Sequence, residues 1–209
     1  MRGIWFVRHG ATDWNRDHRL QGQTDIALSA EGVAQAAALA AALADCPVAS
    51  IVCSDLQRAV QTAWPIARAH GIEPALTHDL REVCLGDWEG LTPDDIRERW
   101  GEAVLSAYQG DPTTNPPPGA EDRSAIEQRV SRAVAAVLEG LTDGVHLVVG
   151  HGGTLRTAVC CAIGAPPELA RRMWLDNASI TRVDFGGRLP RLVSLNDTSH
   201  LVLTRRASE

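Results

Sequence analysis

The sequence predicts an α/β protein: a three-layer sandwich with a mostly parallel central sheet and helices on both faces. Short apolar segments alternate with longer segments of helical periodicity along most of the 209 residues, which is the pattern of strand–helix–strand units. The apolar segments lack polar alternation, as is typical of strands buried on both faces. With 44% apolar residues and no linker-like segment, we expect one domain over residues 1–209.

The first strand–helix unit lies in the first 44 residues. Residues 3–7 are short and wholly apolar, so they predict a buried strand. Residues 29–44 predict a helix, because Ser29 can cap it and apolar side chains recur at helical spacing. The predicted apolar positions of this helix are Val33, Ala36, Leu39, Ala40 and Leu43.

A second strand–helix unit follows directly. Residues 48–53 predict another buried strand, and residues 56–63 another helix. Ser54 or Asp55 can cap this helix. Pro65 is expected to kink or restart it, because proline has no N–H for the helical hydrogen bond.

The middle of the chain carries weaker structural signals. Residues 73–77 predict a weak strand and residues 79–90 a polar loop. Pro93 indicates a helix start, where proline is favoured. Residues 110–119 contain four prolines, so they predict a loop that could cover a site as a lid.

The last third repeats the strand-then-helix order. Ser124 and Glu127 match a capping box, which predicts a helix from there to about residue 138. Residues 146–149 predict a strand that ends in a glycine-rich turn, and residues 154–163 predict the helix after it. Two further strands predict a closing hairpin, at residues 180–185 and 189–195.

Polar side chains follow the predicted strands where each one ends. Right-handed crossovers place the strand-to-helix turns of a parallel sheet along one edge, which is where ligands bind in such sheets. Arg8 and His9 follow the first strand, Arg58 opens the helix after the second, Glu82 follows the third and His151 the fourth. We therefore expect these five side chains to converge.

Composition restricts the chemistry available to this edge. The formal net charge is −6, which argues against binding nucleic acid or an anionic membrane through bulk charge. All 20 basic residues are arginines. The lack of lysine excludes Schiff bases, serine–lysine dyads and the lysine of phosphate-binding loops. Arginine must therefore bind any phosphate or carboxylate.

The cysteines and histidines show none of the common local motifs. The sequence has no Gly-x-Ser-x-Gly elbow, no C-x-x-C pair and no cysteine followed six residues later by arginine, so neither a zinc site nor a cysteine phosphatase is predicted. We expect no metal and no cofactor. An odd cysteine count and the lack of a leader or membrane-spanning segment predict a cytoplasmic protein.

The converging residues predict a site for a phosphate ester. Two arginines, two histidines and nearby helix N-termini form a local positive pocket. A neutral imidazole can attack phosphorus, so His9 is the predicted nucleophile. A carboxylic acid can protonate the leaving alkoxide and then deprotonate water, a role assigned to Glu82. His151 is expected to donate to the phosphoryl oxygens.

Several blocks of the chain resemble the histidine phosphatase superfamily, also called phosphoglycerate-mutase-like. The blocks occur in family order and span roughly residues 3–200. They are Arg8-His9-Gly10-Ala11-Thr12-Asp13-Trp14-Asn15, Gln21-Gly22, Leu28-Ser29, Ser54-Asp55-Leu56-x-Arg58-Ala59, Arg81-Glu82, Gly86-Asp87-Trp88-Glu89-Gly90 and Gly150-His151-Gly152-Gly153.

The resemblance implies a phosphohistidine intermediate formed without metal. It maps the nucleophile onto His9 and the acid onto Glu82, and it places Arg8, Arg58 and His151 in the phosphate pocket. It also implies phosphate or substrate contacts at Asn15, Gln21, Gly22 and Gly152. These assignments agree with the roles argued from the residues themselves.

Within the superfamily, the chain is most similar to small bacterial phosphatases, such as broad-specificity phosphatase, alpha-ribazole phosphatase and glucosyl-3-phosphoglycerate phosphatase. We therefore expect hydrolysis of a small phosphorylated metabolite. Two alternatives stay open: a cofactor-dependent phosphoglycerate mutase and a non-catalytic protein that binds phosphorylated ligands. The family's frequent Gly-Gly-Glu-Ser is replaced by the segment 119–122, Gly-Ala-Glu-Asp. The sequence also leaves the oligomeric state open, and a homodimer is one of the states it allows.

Overall fold

The computed structural model describes residues 2–110 and 115–201. Within them, one sheet has the strand order β3-β2-β4-β1-β5-β6. Its strands are β1 (Arg2–Arg8), β2 (Val48–Ser54), β3 (Ala75–Thr77), β4 (Gly144–Gly150), β5 (Ile180–Asp184) and β6 (Arg191–Asp197). The first four strands are parallel to one another. β5 pairs antiparallel with β1, and β6 pairs antiparallel with β5. The mostly parallel sheet is confirmed.

The helices cover both faces of this sheet. They are α1 (Asp13–Arg16), α2 (Ala30–Leu43), α3 (Gln57–His70), α4 (Pro93–Trp100), α5 (Glu102–Gly110), α6 (Arg123–Glu139) and α7 (Gly152–Ile163). Short 3₁₀ turns occur at His78–Leu80, Gly86–Trp88 and Pro167–Arg172. No helix of the described ranges is long and apolar enough to cross a membrane.

Two hydrophobic cores make the three-layer sandwich. Side chains of a strand alternate between the two faces of a sheet, so Phe6 and Val7 of β1 enter different cores. The core on the Val7 face contains residues of α2 and α3, and the core on the Phe6 face contains residues of α6 and α7. A smaller cluster around Trp88 joins α4 to α5 through Ile96 and Leu105.

Strand register brings the two motif histidines together. Arg8 at the end of β1 is the partner of Gly150 at the end of β4. The His9 N–H then donates to the Gly150 carbonyl at 2.9 Å. His9 and His151 therefore leave the sheet side by side, because each is the residue that follows one of these paired positions.

The helix after β2 is longer than predicted and does not restart at Pro65. Pro65 lies inside an uninterrupted α3, and the N-cap is Leu56, which makes no side-chain cap bond. Asp25 provides the missing cap by accepting from the Gln57 N–H at 2.7 Å, while the predicted cap Asp55 pairs with Arg81 at 2.7 Å. Burial of one helix face against the sheet keeps α3 continuous despite the proline.

Two smaller predictions are also wrong. The predicted capping box at Ser124 is absent, because α6 begins at Arg123 and Glu127 forms an ion pair with that arginine at 2.6 Å. Val33, predicted on the apolar face of α2, is 57% exposed. Ala36, Leu39 and Leu43 are buried as predicted, and Gly32 takes the place of Val33 at the start of the buried stripe.

Candidate active site

A cavity of about 380 Å³ opens at the carboxyl ends of the parallel strands. Seven of the nine predicted site residues line it: Arg8, His9, Asn15, Gln21, Gly22, Arg58 and Glu82. His151 is fully buried beside them, with its ring centroid 5.1 Å from that of His9. Gly152 is not among the lining residues, although its neighbour Gly153 is. Of the predicted lid segment, residues 111–114 lie outside the described residues, while Pro116 and Pro117 line the cavity.

His9 is held with one ring nitrogen available. Its Nδ1 lies 2.7 Å from the Gly10 carbonyl oxygen, and a carbonyl can only accept, so Nδ1 carries the proton. The lone pair of the neutral ring is then on Nε2. Burial lowers the pKa of His9 well below its usual value, and the charges of Arg8 and Arg58 lower it further. A neutral imidazole is the form that can act as a nucleophile.

His151 is neutral for similar reasons and is hydrogen-bonded at both nitrogens. Burial lowers its pKa well below the usual value, with further contributions from His9 and Arg58. Arg58 Nε donates to Nδ1 at 3.1 Å. Nε2 therefore carries the proton, 2.8 Å from Ser54 Oγ. This ring fixes the direction of the Arg58 guanidinium within the site.

The segment around Gly22 holds the rest of that guanidinium. Arg58 Nη2 donates to the Gly22 carbonyl at 2.8 Å and Nη1 to the Thr24 carbonyl at 2.9 Å. Glu89 anchors the segment from behind by accepting from the Gln23 and Thr24 N–H groups, both at 2.9 Å. Gly22 has φ +52°, and a Cβ there would lie 2.1 Å from the Glu89 carboxylate, so a side chain at this position does not fit.

Two buried polar atoms of the site have no partner within the described structure. They are Arg8 Nε and Gln21 Oε1. The Arg8 side chain is otherwise bound through Nη1 to the Leu175 carbonyl. Buried polar groups are nearly always satisfied in proteins. An unpaired guanidinium N–H beside His9 and Arg58 therefore indicates a site for an anion.

Glu82 faces the same cavity from the loop after β3. Its carboxylate accepts three backbone N–H bonds, from Val83 at 2.9 Å, Gly153 at 3.0 Å and Thr154 at 3.2 Å. Two of these donors belong to the first turn of α7, where free N–H groups favour an acidic partner. A Cβ on Gly153 would lie 2.5 Å from the Glu82 carboxylate. Glycine at that position therefore allows the contact.

Asn15 lines the cavity near the loop that carries His9. Its side chain accepts from the Thr12 N–H at 3.0 Å in a capping box at α1. Asn177, which the sequence did not single out, donates to the His9 carbonyl at 3.0 Å and contacts Asn15 at 3.3 Å. No local pattern marks Asn177, because its partners are more than 160 residues away.

A buried ion pair that sequence reasoning missed supports the Glu82 loop. Arg129 forms two bonds to the Glu121 carboxylate, at 2.6 and 2.8 Å. Its remaining donors bind the carbonyls of Asp79, Arg81 and Glu82 at 2.9, 2.6 and 3.1 Å. One signal was available: Arg129 lies between Ile126 and Ala133 in helical spacing, so it falls on the apolar face of α6.

The assembled site is suited to a phosphoryl group. Two guanidinium groups lie beside a buried neutral imidazole, and the Glu82 carboxylate is bound to the first turn of α7 in the same cavity. Guanidinium groups and helix N-termini are the common protein ligands of phosphate. In the described residues, no group of three or more His, Cys, Asp or Glu side chains is arranged to hold a metal ion. Fold and site together define an α/β protein with a histidine pocket suited to a phosphoryl group.

The chain belongs to the histidine phosphatase superfamily (branch 1), whose family model matches residues 4–198. The resemblance inferred from the motif blocks is thereby confirmed, and the protein is a histidine phosphatase. A relative from Yersinia enterocolitica serotype O:8, named "Probable phosphoglycerate mutase GpmB", is 33% identical over 96% of this chain and 95% of its own length.

Two solved structures with the same fold are phosphatases by name. A mycobacterial glucosyl-3-phosphoglycerate phosphatase in complex with VO3 has a TM-score of 0.83 and 31% identity, over 95% of this chain and 100% of that one. The alpha-ribazole phosphatase of Shigella flexneri has a TM-score of 0.83 and 28% identity, over 93% and 96% of the two chains.

Proposed function

We propose that the protein is a metal-independent phosphomonoester hydrolase that acts on a small phosphorylated metabolite through a phosphohistidine at His9. The observation that carries the proposal is the state of His9: a buried neutral ring with its lone pair on Nε2, beside two guanidinium groups. Such a ring can attack phosphorus, while the arginines neutralise the phosphoryl oxygens.

The reaction proceeds in two steps. His9 Nε2 attacks phosphorus, the ester P–O bond breaks, and the leaving alkoxide takes a proton from Glu82. Water then attacks the phosphohistidine, the P–N bond breaks, and Glu82 accepts the proton from that water. Glu82 Oε1 accepts two of the three backbone bonds and Oε2 only one, which leaves Oε2 the freer oxygen for this proton.

The remaining predicted residues bind the phosphoryl group or the leaving group. Arg8 and Arg58 would bind the equatorial oxygens, the former through its unpartnered Nε. His151 is proposed to orient Arg58. Its single N–H faces Ser54 Oγ, so the donation to the phosphoryl oxygens expected from the sequence requires this N–H to leave Ser54. Substrate contacts are proposed for the four residues Asn15, Gln21, Gly22 and Gly152.

The test is phosphate release from an aryl phosphate with and without chelator. Wild type is expected to retain its rate in chelator and to form an acid-labile phosphoenzyme. His9→Ala should lose at least about 10³-fold in rate, since the covalent route is removed. His18→Ala, which alters an exposed histidine, is the matched control. Phosphate release that survives in His9→Ala would exclude His9 as the nucleophile.

A mutase is the second candidate, because curated relatives carry that name. A mutase returns the phosphoryl group to a second substrate oxygen, whereas a hydrolase gives it to water. Incubation with 3-phosphoglycerate distinguishes them, since a hydrolase releases phosphate and a mutase produces 2-phosphoglycerate. If no substrate yields a phosphoenzyme, the protein instead binds phosphorylated ligands without turnover.

A further inference from the structure

Arg156 lies in the cavity one helical turn beyond the glycine-rich motif, and none of the roles above uses it. Its Nε donates to the Gly152 carbonyl at 3.0 Å, and its side chain lines the cavity. Side chains of a helix lean towards its N-terminus. The Arg156 guanidinium is therefore held over the first turn of α7, next to the predicted phosphate pocket.

The outer cavity contains other arginines whose charge is compensated. Arg123 contacts Glu127 at 2.6 Å and Glu168 at 2.8 Å. Arg19 lies 3.8 Å from Asp95 and donates to the Gly90 carbonyl at 2.7 Å. Across residues 2–110 and 115–201, by contrast, no carboxylate oxygen lies within 4.0 Å of the Arg156 guanidinium, and only its Nε has a hydrogen-bond partner. Both Nη groups are thus available to a ligand.

The surroundings of Arg156 are already positive. Burial lowers the pKa of Arg8; Glu82 opposes that effect, and the positive charge of Arg156 adds to it. Glu82 offsets part of this positive charge, and it also accepts from the N–H groups of Gly153 and Thr154 in the first turn of α7. Arg156 is the third guanidinium of this region after Arg8 and Arg58. Holding it here costs free energy that a second anion would offset, in addition to the phosphoryl group proposed to bind Arg8 and Arg58.

We propose that Arg156 binds a second acidic group on the leaving-group side of the substrate, so that the preferred substrates are phosphomonoesters that also carry a carboxylate or a second phosphate. This inference rests on the proposed hydrolase function. Guanidinium is the side chain that best matches the two oxygens of such a group. Apolar side chains of the same cavity, such as Leu85 and Ile126, would pack against the carbon skeleton between the two acidic groups.

Two matched substrate pairs test the proposal. 3-Phosphoglycerate and glycerol 3-phosphate differ by a carboxylate in place of a hydroxymethyl group. Fructose 1,6-bisphosphate and fructose 6-phosphate differ by a second phosphate. For each pair, kcat/KM for phosphate release is measured in wild type, Arg156→Gln, Arg156→Lys and the control Arg123→Gln, whose native guanidinium is already paired.

Wild type is expected to prefer the more acidic member of at least one pair by about 10-fold or more, the size of a charged hydrogen-bond contribution. Arg156→Gln should remove this preference with little change on the less acidic member, whereas Arg156→Lys should keep part of it. Arg123→Gln should retain the preference.

Two results would overturn the proposal: a wild type without preference in either pair, or an Arg156→Gln variant that loses activity equally on both members. The second result would instead place Arg156 at the transferred phosphoryl group. Failure of the hydrolase proposal is distinguishable, because wild type would then release phosphate neither from these four compounds nor from the aryl phosphate.

Discussion

His9 and Arg58 show how single residues of this site control one another. The charge of Arg58 helps to keep His9 neutral, and Arg58 is itself held by His151 and by the carbonyls of Gly22 and Thr24. The guanidinium thus has its direction fixed before any substrate arrives. Preorganised charge of this kind is the main contribution that a protein makes to phosphoryl transfer.

Arg129 is predicted to position Glu82 without touching substrate. Arg129→Met should lower kcat by about 10- to 100-fold with KM changed less than about 3-fold, because the loop carbonyls lose their donors while the phosphate pocket stays intact. It should also lower the free energy of unfolding by about 3 kcal/mol, since Glu121, which is 15% exposed, loses its charged partner. Steady-state kinetics and urea unfolding measure the two effects.

Two further variants separate positioning from stability. Arg129→Met combined with Glu121→Gln should recover much of the stability but not kcat, because the carbonyls of the Glu82 loop remain without their donor. Arg132→Met is the matched control: it lies one turn away, and its guanidinium forms an exposed ion pair with Asp79 at 2.9 Å, worth at most about 1 kcal/mol. Full recovery of kcat in the double variant would contradict a positioning role.

At the scale of elements, the site depends on how closely α2 approaches the loop that follows β1. A Cβ on Gly32 would lie 2.0 Å from the Ala11 carbonyl oxygen, and a Cβ on Gly10 2.6 Å from the Gly32 carbonyl oxygen. The helix and the loop therefore meet at two glycines. This contact holds the loop that carries His9 against the body of the protein.

Gly32→Ala is expected to destabilise the protein, although glycine-to-alanine substitutions within helices usually stabilise. Glycine to alanine inside a helix ordinarily stabilises by about 0.5–1 kcal/mol. Here the new methyl group collides with backbone, so we expect a loss of about 2 kcal/mol or more in urea unfolding, together with reduced phosphate release. Ala37→Gly, at an exposed position of α2, is the control: it measures the difference in helix propensity between alanine and glycine without a change in packing. A Gly32→Ala variant more stable than wild type would contradict the close packing.

At the scale of the whole molecule, two neutral histidines are buried where four parallel strands end. Because burial lowers the pKa of both His9 and His151 below 6.5, the unfolded chain binds protons that the folded protein does not. The stability that this provides is fully present above the unfolded pKa of about 6.5 and decreases as pH falls below it. Keeping both rings neutral in the folded protein therefore lowers its stability in acid.

The free energy of unfolding should fall by about 1.4 kcal/mol per pH unit for each of the two histidines below pH 6.5. Urea unfolding between pH 7.5 and 5.5 measures this slope. His151→Gln should reduce the slope by about 1.4 kcal/mol per pH unit, whatever its effect on stability at neutral pH. His200, whose pKa burial also lowers, still contributes to the slope in this variant. An unfolding free energy that is unchanged between pH 7 and 5.5 would show that these rings are not buried in the neutral form.

The sequence by itself determined the α/β architecture, because buried parallel strands and amphipathic helices have distinct periodicities. It also determined which residues gather at the sheet edge, since every parallel strand ends there: His9, Arg58, Glu82 and His151 were all assigned to strand ends or to the turns that follow them.

Only the tertiary structure decided what holds those side chains in place. Asp25 caps α3, Glu89 anchors the Gly22 segment and Arg129 ties down the Glu82 loop; each acts across many residues of sequence, where local patterns carry no signal. The continuity of α3 through Pro65 has the same origin. Packing of α3 against the sheet outweighs the tendency of proline to interrupt a helix. The residues around Pro65 do not indicate which part of the chain packs against this helix.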